Sequence, residues 1–319
     1  MRNQGLSGRT GRMLITGANG LLGKDITRKF SMGYEVLPTD LQECDVTSRE
    51  ECMRVMGEYS PDVVVHCAAY TAVDRAEREE EAAFALNAEG TRNVALACKE
   101  QRCLLVTFGT DYVFDGTSDR PYVEDDPTGP LSAYGRSKLA AEEALREVAP
   151  DFLLIRTQWL FGPYGRNFAS SILERAEEGG ELKVVSDQKG CPTFTRDLAD
   201  AVGRLLTAGA RGVFHFSNEG ETTFFDYAAF LLTHGGREGT RLSPLSTSDL
   251  PRDAYPASRP RYAVLSKEKY RKISGVAPRR WQDAVLDFLE GRVGSDRAQG
   301  KTVLVSGPCA PAQEEEEES

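Results

Sequence analysis

Residues 12–23 read RMLITGANGLLG, and the fold turns on how this stretch divides. Met13 to Ile15 form the apolar part of a short β-rich run ending at Thr16 and Gly17, and from Leu22 to Met32 the residues read as a helix. Between the two stand Gly17, Gly20 and Gly23, spaced GxxGxxG. A strand, a glycine turn and a helix in direct succession make a cradle for a pyrophosphate. One glycine allows the tight turn, a second lets the backbone approach the phosphates, and a third lets the helix pack on the strand. The spacing differs from GxGxxG, so the assignment rests on where the glycines lie, between the first strand and the first helix. A dinucleotide site is expected there.

The chain beyond repeats the same alternation. YEVLPTD (34–40), DVVVHCAA (62–69), CLLVTFGT (103–110) and FLLIRT (152–157) are apolar runs bounded by Gly, Asp or Thr, as buried parallel strands are. Helices are expected at Ser48 to Tyr59, Ala76 to Gln101 and Ser132 to Val148. This predicts an α/β fold, a Rossmann-type doubly wound parallel sheet that binds ligands at the carboxyl ends of its strands. After Gly162 the pattern loosens. Helices are expected at Asn167 to Glu178, Arg196 to Ala208, Phe225 to His234 and Arg280 to Gly291, with strands at LKVV and VFHFSN. The expected division is a flexible leader (1–11), a dinucleotide-binding domain (12–162), a smaller C-terminal substrate-binding part (163–291) that can interleave with the sheet, and a disordered acidic tail (292–319).

Composition narrows the function classes. A chain of 319 residues is long enough for a large α/β domain or two domains, and 40% hydrophobic with 28% charged residues suits a globular protein. No apolar run approaches the ~20 residues of a membrane span. The net charge of −10 argues against a nucleic-acid surface, although Glu314 to Glu318 supply part of it. The leading MRNQGLSGRTGR lacks the apolar core of a secretory signal, so a cytoplasmic location is expected. Seven cysteines, an odd number without a CxxC pair, read as free thiols, and no metal site is expected. His66, His215 and His234 are scattered and read as core or surface residues; DRAEREEEAA (74–83) reads as a solvated helix face.

Asp40 ends the second strand, where a carboxylate accepts hydrogen bonds from ribose hydroxyls and repels a 2′-phosphate. That favours NAD, Lys24 and Arg28 keep NADP open, and a plain turn residue is the alternative reading of Asp40. The expected cofactor is therefore NADPH or NADH. Asp45 and Val46, in CDVTS, are placed to flank the adenine. Thr110 ends the fourth strand, at the sheet edge shared by the glycine loop and by Ala68, Ala69, Tyr70 and Thr71. Tyr134 and Lys138, in YGRSK, open the following helix at i and i+4, on one face. A ketone receiving hydride builds negative charge on oxygen and needs a proton donor and a hydrogen bond to hold it. Tyr134 is the expected donor, Lys138 the cation that lowers the phenol's pKa and holds the cofactor ribose, and Thr110 the group that fixes the carbonyl. Trp159 and Phe161 read equally as core aromatics or, before a Gly-Pro turn, as rings that stack on a sugar or base.

With these residues in hand, the chain resembles the extended short-chain dehydrogenase/reductase family and, within it, the dTDP-4-dehydrorhamnose reductase branch. TGANGLLG, HCAAYTAVD, GTDYVFDG, YGRSK and RTQWLFGPYGRNF occur in that family's order, over about Arg12 to Glu290. The resemblance implies reduction, with NADPH or NADH, of the 4-keto group of a nucleotide-linked 6-deoxy sugar. It implies that Gly17, Asn19, Gly20, Leu21, Leu22 and Gly23 hold the pyrophosphate, that Ala68 to Thr71 line the nicotinamide side, and that Thr110, Tyr134 and Lys138 are catalytic. Thr71, Val73, Thr110, Asp111, Tyr112 and Trp159 would meet the substrate, and Asn87 would support a proton relay or be a plain helix residue. The implied partner is a nucleotide sugar, with no nucleic acid and no membrane, and a homodimer is left open. Two departures stand out: Gly109 where the family often has serine, and RPRYAVLS with Tyr262 and Ala263 where the family has Asn and Ser. Other readings are a sugar-nucleotide epimerase or dehydratase, although Asp111-Tyr112 is only half of a dehydratase acidic pair, and a non-catalytic subunit similar to the beta subunit of methionine adenosyltransferase.

Overall fold

The computed structural model describes residues 10–148 and 151–296. The first strand, β1 (Gly11–Thr16), leads through the glycine turn into α1 (Leu21–Phe30) and returns as β2 (Tyr34–Thr39). Ser48 caps α2 (Arg49–Tyr59) by accepting a hydrogen bond from Glu51 N, and Glu50 and Glu51 sit in the first turn, where the helix dipole favours acids. All four residues of β3 (Val63–His66) and all seven of β4 (Leu104–Thr110) are buried, as expected of strands covered on both faces. The expected helix from Ala76 to Gln101 is instead four pieces: α3 (Val73–Ala76), α4 (Glu80–Phe84), a π turn (Ala85–Glu89) and α5 (Gly90–Gln101). The side chains between these pieces are taken out of the helix surface to serve other elements. Glu77 accepts the Ala133 N–H at 2.7 Å, at the start of α6 (Ala133–Val148), and Asn87 turns inward from the π segment. Part of the charge run read as a solvated face is thus structural.

After α6 come β5 (Phe152–Thr157) and the short β6 (Leu160–Phe161). Then follow α7 (Phe168–Glu178), β7 (Glu181–Val185), β8 (Lys189–Gly190), β9 (Thr193–Phe194), α8 (Thr195–Thr207) and β10 (Gly212–His215). The last stretch holds β11 (Thr222–Thr223), α9 (Phe224–His234), β12 (Arg241–Leu245), α10 (Glu268–Ser274) and α11 (Trp281–Asp296). Helix α11 runs five residues past the expected Gly291 boundary; the leader up to residue 9 and the tail from 297 lie outside the described residues.

Six strands pair in the order β10-β5-β4-β3-β1-β2, every pair parallel. Strand β10 comes from beyond Gly162, so the second half of the chain completes the sheet of the first. One face packs Ile26 and Phe30 of α1 with Leu198, Val202 and Leu205 of α8; the other packs Val55 and Met56 of α2, Val94 of α5 and Leu145 of α6. A separate core gathers Phe161, Phe194, Tyr227, Trp281 and Phe288. The chain leaves β1 toward β2 on one side and returns as β3 on the other. The strand order therefore reverses between β1 and β3, the place where open α/β sheets hold their ligands. Among the described residues no helix is long and apolar enough to cross a membrane.

Candidate active site

The glycine loop sits at that reversal. Gly17 has φ +64°, and a Cβ there would fall 2.6 Å from Ala68 N, at the end of β3. At Gly23 a Cβ would fall 2.1 Å from Gly17 O, so helix and loop touch with no room for a side chain. Gly20 is the N-cap of α1 in extended conformation, Leu21 and Leu22 follow, and no side chain caps the helix. Its first-turn amides therefore face outward with the positive end of the dipole, and no acid occupies the turn. A cradle of this shape and sign fits a pyrophosphate.

Asp40 does more than end a strand. Its Oδ2 accepts Asn19 N at 3.0 Å and its Oδ1 accepts Leu41 N at 2.9 Å, tying β2 to the glycine loop. A carboxylate offers about four lone-pair sites, so two remain for ribose hydroxyls. Asp45 Oδ1 accepts from Thr47 N and Oγ1, and the buried Val46 gives its carbonyl to Asn93 Nδ2 at 3.1 Å. This pair builds the turn into α2.

On the other flank, Asn87 cross-links three elements. It accepts Tyr70 N at 2.8 Å, donates to Tyr70 O at 3.1 Å and donates to Ser137 Oγ at 2.9 Å. Ser137 donates to Tyr134 O. The stretch Ala68 to Tyr70 is thereby pinned against the first turn of α6, and Asn87 is a structural brace, not a plain polar residue. The Tyr70 ring leaves the site, its hydroxyl engaged by Glu79 and Arg75; Thr71 is exposed and Val73 half-buried.

Thr110, Tyr134 and Lys138 converge. Thr110 is buried, accepts Tyr112 N at 3.2 Å and bonds Asp111 Oδ1 at 3.0 Å. Its hydroxyl acts on the nearby Tyr134 phenol. The Tyr112 and Tyr134 rings meet edge to face at 5.6 Å. The expected lowering of the Tyr134 pKa is not found. Burial raises it first, Thr110 pulls it down, and Asp111 and Tyr112 push it up. Lys138 lies along the same helix face, buried, and burial lowers it to about 8 against the pull of Glu142 and Cys67. The ammonium acts on Cys67 and His66 and is not among the groups that move the phenol. His66 is a core histidine between Thr16 and Thr91, with burial lowering it to about 3.

Gly109 is a packing requirement. A Cβ there would stand 2.9 Å from both Arg156 Cγ and Glu142 Oε1, partners in a bidentate buried ion pair (Nε to Oε1 2.9 Å, Nη2 to Oε2 2.8 Å) joining β5 to α6. Glycine leaves the place of the family's serine to that pair. Tyr262 reaches Glu221, and Ala263 is buried, its amide bonded to Lys189 O, so RPRYAVLS is a packed segment here. Trp159 has φ 46°, is half-buried and stacks on Phe224 at 3.6 Å, with Gly190 also packed against its ring. Sequence reasoning missed Arg259: it pairs with Asp74, 185 residues away, and pulls down the pKa of the Tyr112 phenol beside Thr110. The only local signal was an arginine next to a proline.

The RmlD substrate binding domain family model matches residues 11–293. The chain belongs to this family. Among its relatives, dTDP-4-dehydrorhamnose reductase of Streptomyces griseus is 40% identical over 294 residues, covering 89% of this chain and 95% of that protein. The solved dTDP-4-dehydrorhamnose reductase of Bacillus anthracis, in complex with NADP, superposes with a TM-score of 0.85 at 33% identity, covering 89% of this chain and 100% of that one. UDP-glucose 4-epimerase of Thermus thermophilus, at 21% identity and a TM-score of 0.75, shares the fold alone. The Rossmann-type sheet and the extended short-chain dehydrogenase/reductase resemblance of this RmlD-family chain are borne out.

Proposed function

We propose that this chain is a dTDP-4-dehydrorhamnose reductase, reducing the 4-keto group of a dTDP-linked 6-deoxy sugar with NADPH or NADH. The observation that carries the reading is the meeting of Thr110, at the carboxyl end of β4, with Tyr134 in the first turn of α6, with Lys138 one turn along α6 and the glycine cradle across the β1–β3 reversal. The relatives support the substrate class and the cofactor. Gly20, Leu21 and Leu22 would hold the pyrophosphate, Asp40 the ribose, and Ala68 to Thr71 the nicotinamide side; the cofactor supplies the hydride.

Thr110 orients the ketone oxygen, and Tyr134 gives it a proton. A phenol whose pKa is raised by burial keeps its proton at neutral pH, which suits a donor in a reduction better than a base in an oxidation. Lys138, at about 8, keeps most of its charge at neutral pH and offsets the negative charge that grows at the oxygen. Val73, Tyr112 and Trp159 would shape the sugar site from within residues 12–162, which also serve the cofactor, and residues 163–291 would complete the substrate side. A cytoplasmic location goes with this reading. Consumption of NADPH and NADH over a panel of nucleotide-linked keto sugars tests it. Oxidation with dTDP-4-keto-L-rhamnose is expected; a protein that binds NADPH but reduces none of the panel is not this enzyme.

A further inference from the structure

Thr110 Oγ1 is the centre of a hydrogen-bond chain whose direction is constrained. A hydroxyl has one proton and two lone pairs. One lone pair of Oγ1 takes Tyr112 N at 3.2 Å, its second neighbour is Asp111 Oδ1 at 3.0 Å, and the Tyr134 phenol lies nearby. An ionised Asp111 can only accept. It would claim the single proton of Thr110 and leave the threonine nothing to donate to a ketone oxygen. A protonated Asp111 donates to the second lone pair of Oγ1 and frees that proton.

The surroundings favour the second arrangement. Asp111 is 2% exposed, and its Oδ2 has no partner among the described residues. A buried carboxylate with a bare oxygen is far less stable than the neutral acid, which needs only its one donor satisfied. The titratable groups facing it are the phenols of Tyr112, from its own turn, and Tyr134, from α6, both neutral. Arg259, from the opposite segment, is paired with Asp74 and acts on Tyr112, and the charged neighbour of Lys138 is Glu142. On the β5 side Thr157, in register with Thr110, leaves its own Oγ1 unpartnered. Burial pushes Asp111 up to about 7, against hydrogen bonds from Thr110 and from the backbone of Asp111 and Tyr112.

We propose that Asp111 is a positioning residue that works as a neutral acid: its proton, donated to Thr110 Oγ1, frees the threonine's one proton for the ketone oxygen. The inference rests on the reductase reading and adds a hydrogen-bond direction to it. No bond to Asp111 is made or broken in turnover. The alkoxide takes the Tyr134 proton, the hydride comes from reduced nicotinamide, and the phenolate regains a proton from solvent after product leaves.

The test joins pH profiles to a measurement that needs no turnover. Wild-type kcat/KM falls as pH rises through about 7, because the ionised acid reverses the chain. In Asp111→Asn an amide donates to Thr110 at every pH; at pH 6 the variant loses less than about tenfold, and its falling limb moves to about 8, where Lys138 discharges. Asp111→Ala, with no donor, loses about 10²–10³-fold, the usual effect of removing one oxyanion donor. Infrared difference spectra of free wild type against Asp111→Asn show a carboxylic-acid carbonyl band that disappears above about pH 7. An Asn variant as inactive as the Ala variant, a wild-type profile flat through neutrality, or a carboxylate band already present at about pH 6 overturns the proposal. The wild-type profile remains decisive should either variant fail to fold. If the wild type reduces no keto sugar, the reductase reading fails, and the infrared band still reports the proton on Asp111.

Discussion

At the scale of single residues, the chemistry-bearing side chains were legible and their electrostatics were not. Thr110, Tyr134 and Lys138 stood out because a strand end and a helix start recur where ligands bind. What a sequence hides is burial: the phenol goes up instead of down, and Asp111, read as a substrate contact or as half of a dehydratase acidic pair, has its carboxyl pushed up to about 7. This has a consequence for stability. The folded pKa of Asp111, about 7, lies above its ordinary value of 3.8, so the folded state binds its proton more tightly than the unfolded chain does. The stability this contributes is complete below 3.8 and is lost as pH rises to about 7. Asp111→Asn removes the loss. Thermal melts of the two proteins should therefore diverge in favour of the variant from about pH 4 to pH 7 and run parallel above it.

Among the elements, the strand–glycine–helix unit and most of the sheet were readable because hydrophobic period and turn chemistry agree there. The break in the expected helix from Ala76 to Gln101 was not, since apolar spacing continues through it while Glu77 and Asn87 answer to α6 and Tyr70. The sixth strand, β10, could be seen as a strand, but its place beside β5 depends on the return of α8 to α1, which local pattern does not encode. The glycine turn gives a sharp prediction. A Cβ at Gly23 meets backbone at 2.1 Å, so Gly23→Ala must move α1 off the loop. Titration of the variant by cofactor fluorescence should show NADPH affinity reduced by at least about tenfold, with the fold retained by circular dichroism. Unchanged affinity would mean the loop does not hold the pyrophosphate.

Across the whole molecule, distant pairs lock the catalytic helix to the sheet and to the second half of the chain. Arg156 and Glu142 are each 1% exposed and paired through two hydrogen bonds, and Gly109 makes room for them directly before Thr110. Arg259 and Asp74, a less buried pair, tie the C-terminal segment to α3 near Tyr112. Such pairs join residues that no local window brings together, which is why the serine-to-glycine departure at Gly109 was visible in the sequence and the ion pair that fills its place was not. Removing one member of a buried pair strands the other, at about 3–5 kcal/mol. Glu142→Gln should lower the midpoint of urea unfolding accordingly, whereas Glu80→Gln, at the exposed pair with Arg136, should change it by less than about 1 kcal/mol. Equal effects would contradict the burial argument.

The central claim, that the Tyr134 hydroxyl protonates the oxygen as hydride reaches the neighbouring carbon, is tested most directly by single-turnover hydride transfer in Tyr134→Phe. With enzyme, NADPH and dTDP-4-keto-L-rhamnose all bound, the absorbance of the reduced cofactor should decay about 10²–10⁴-fold more slowly than in the wild type, with NADPH affinity held within a few-fold. A variant that oxidises its bound NADPH at the wild-type rate would contradict the account.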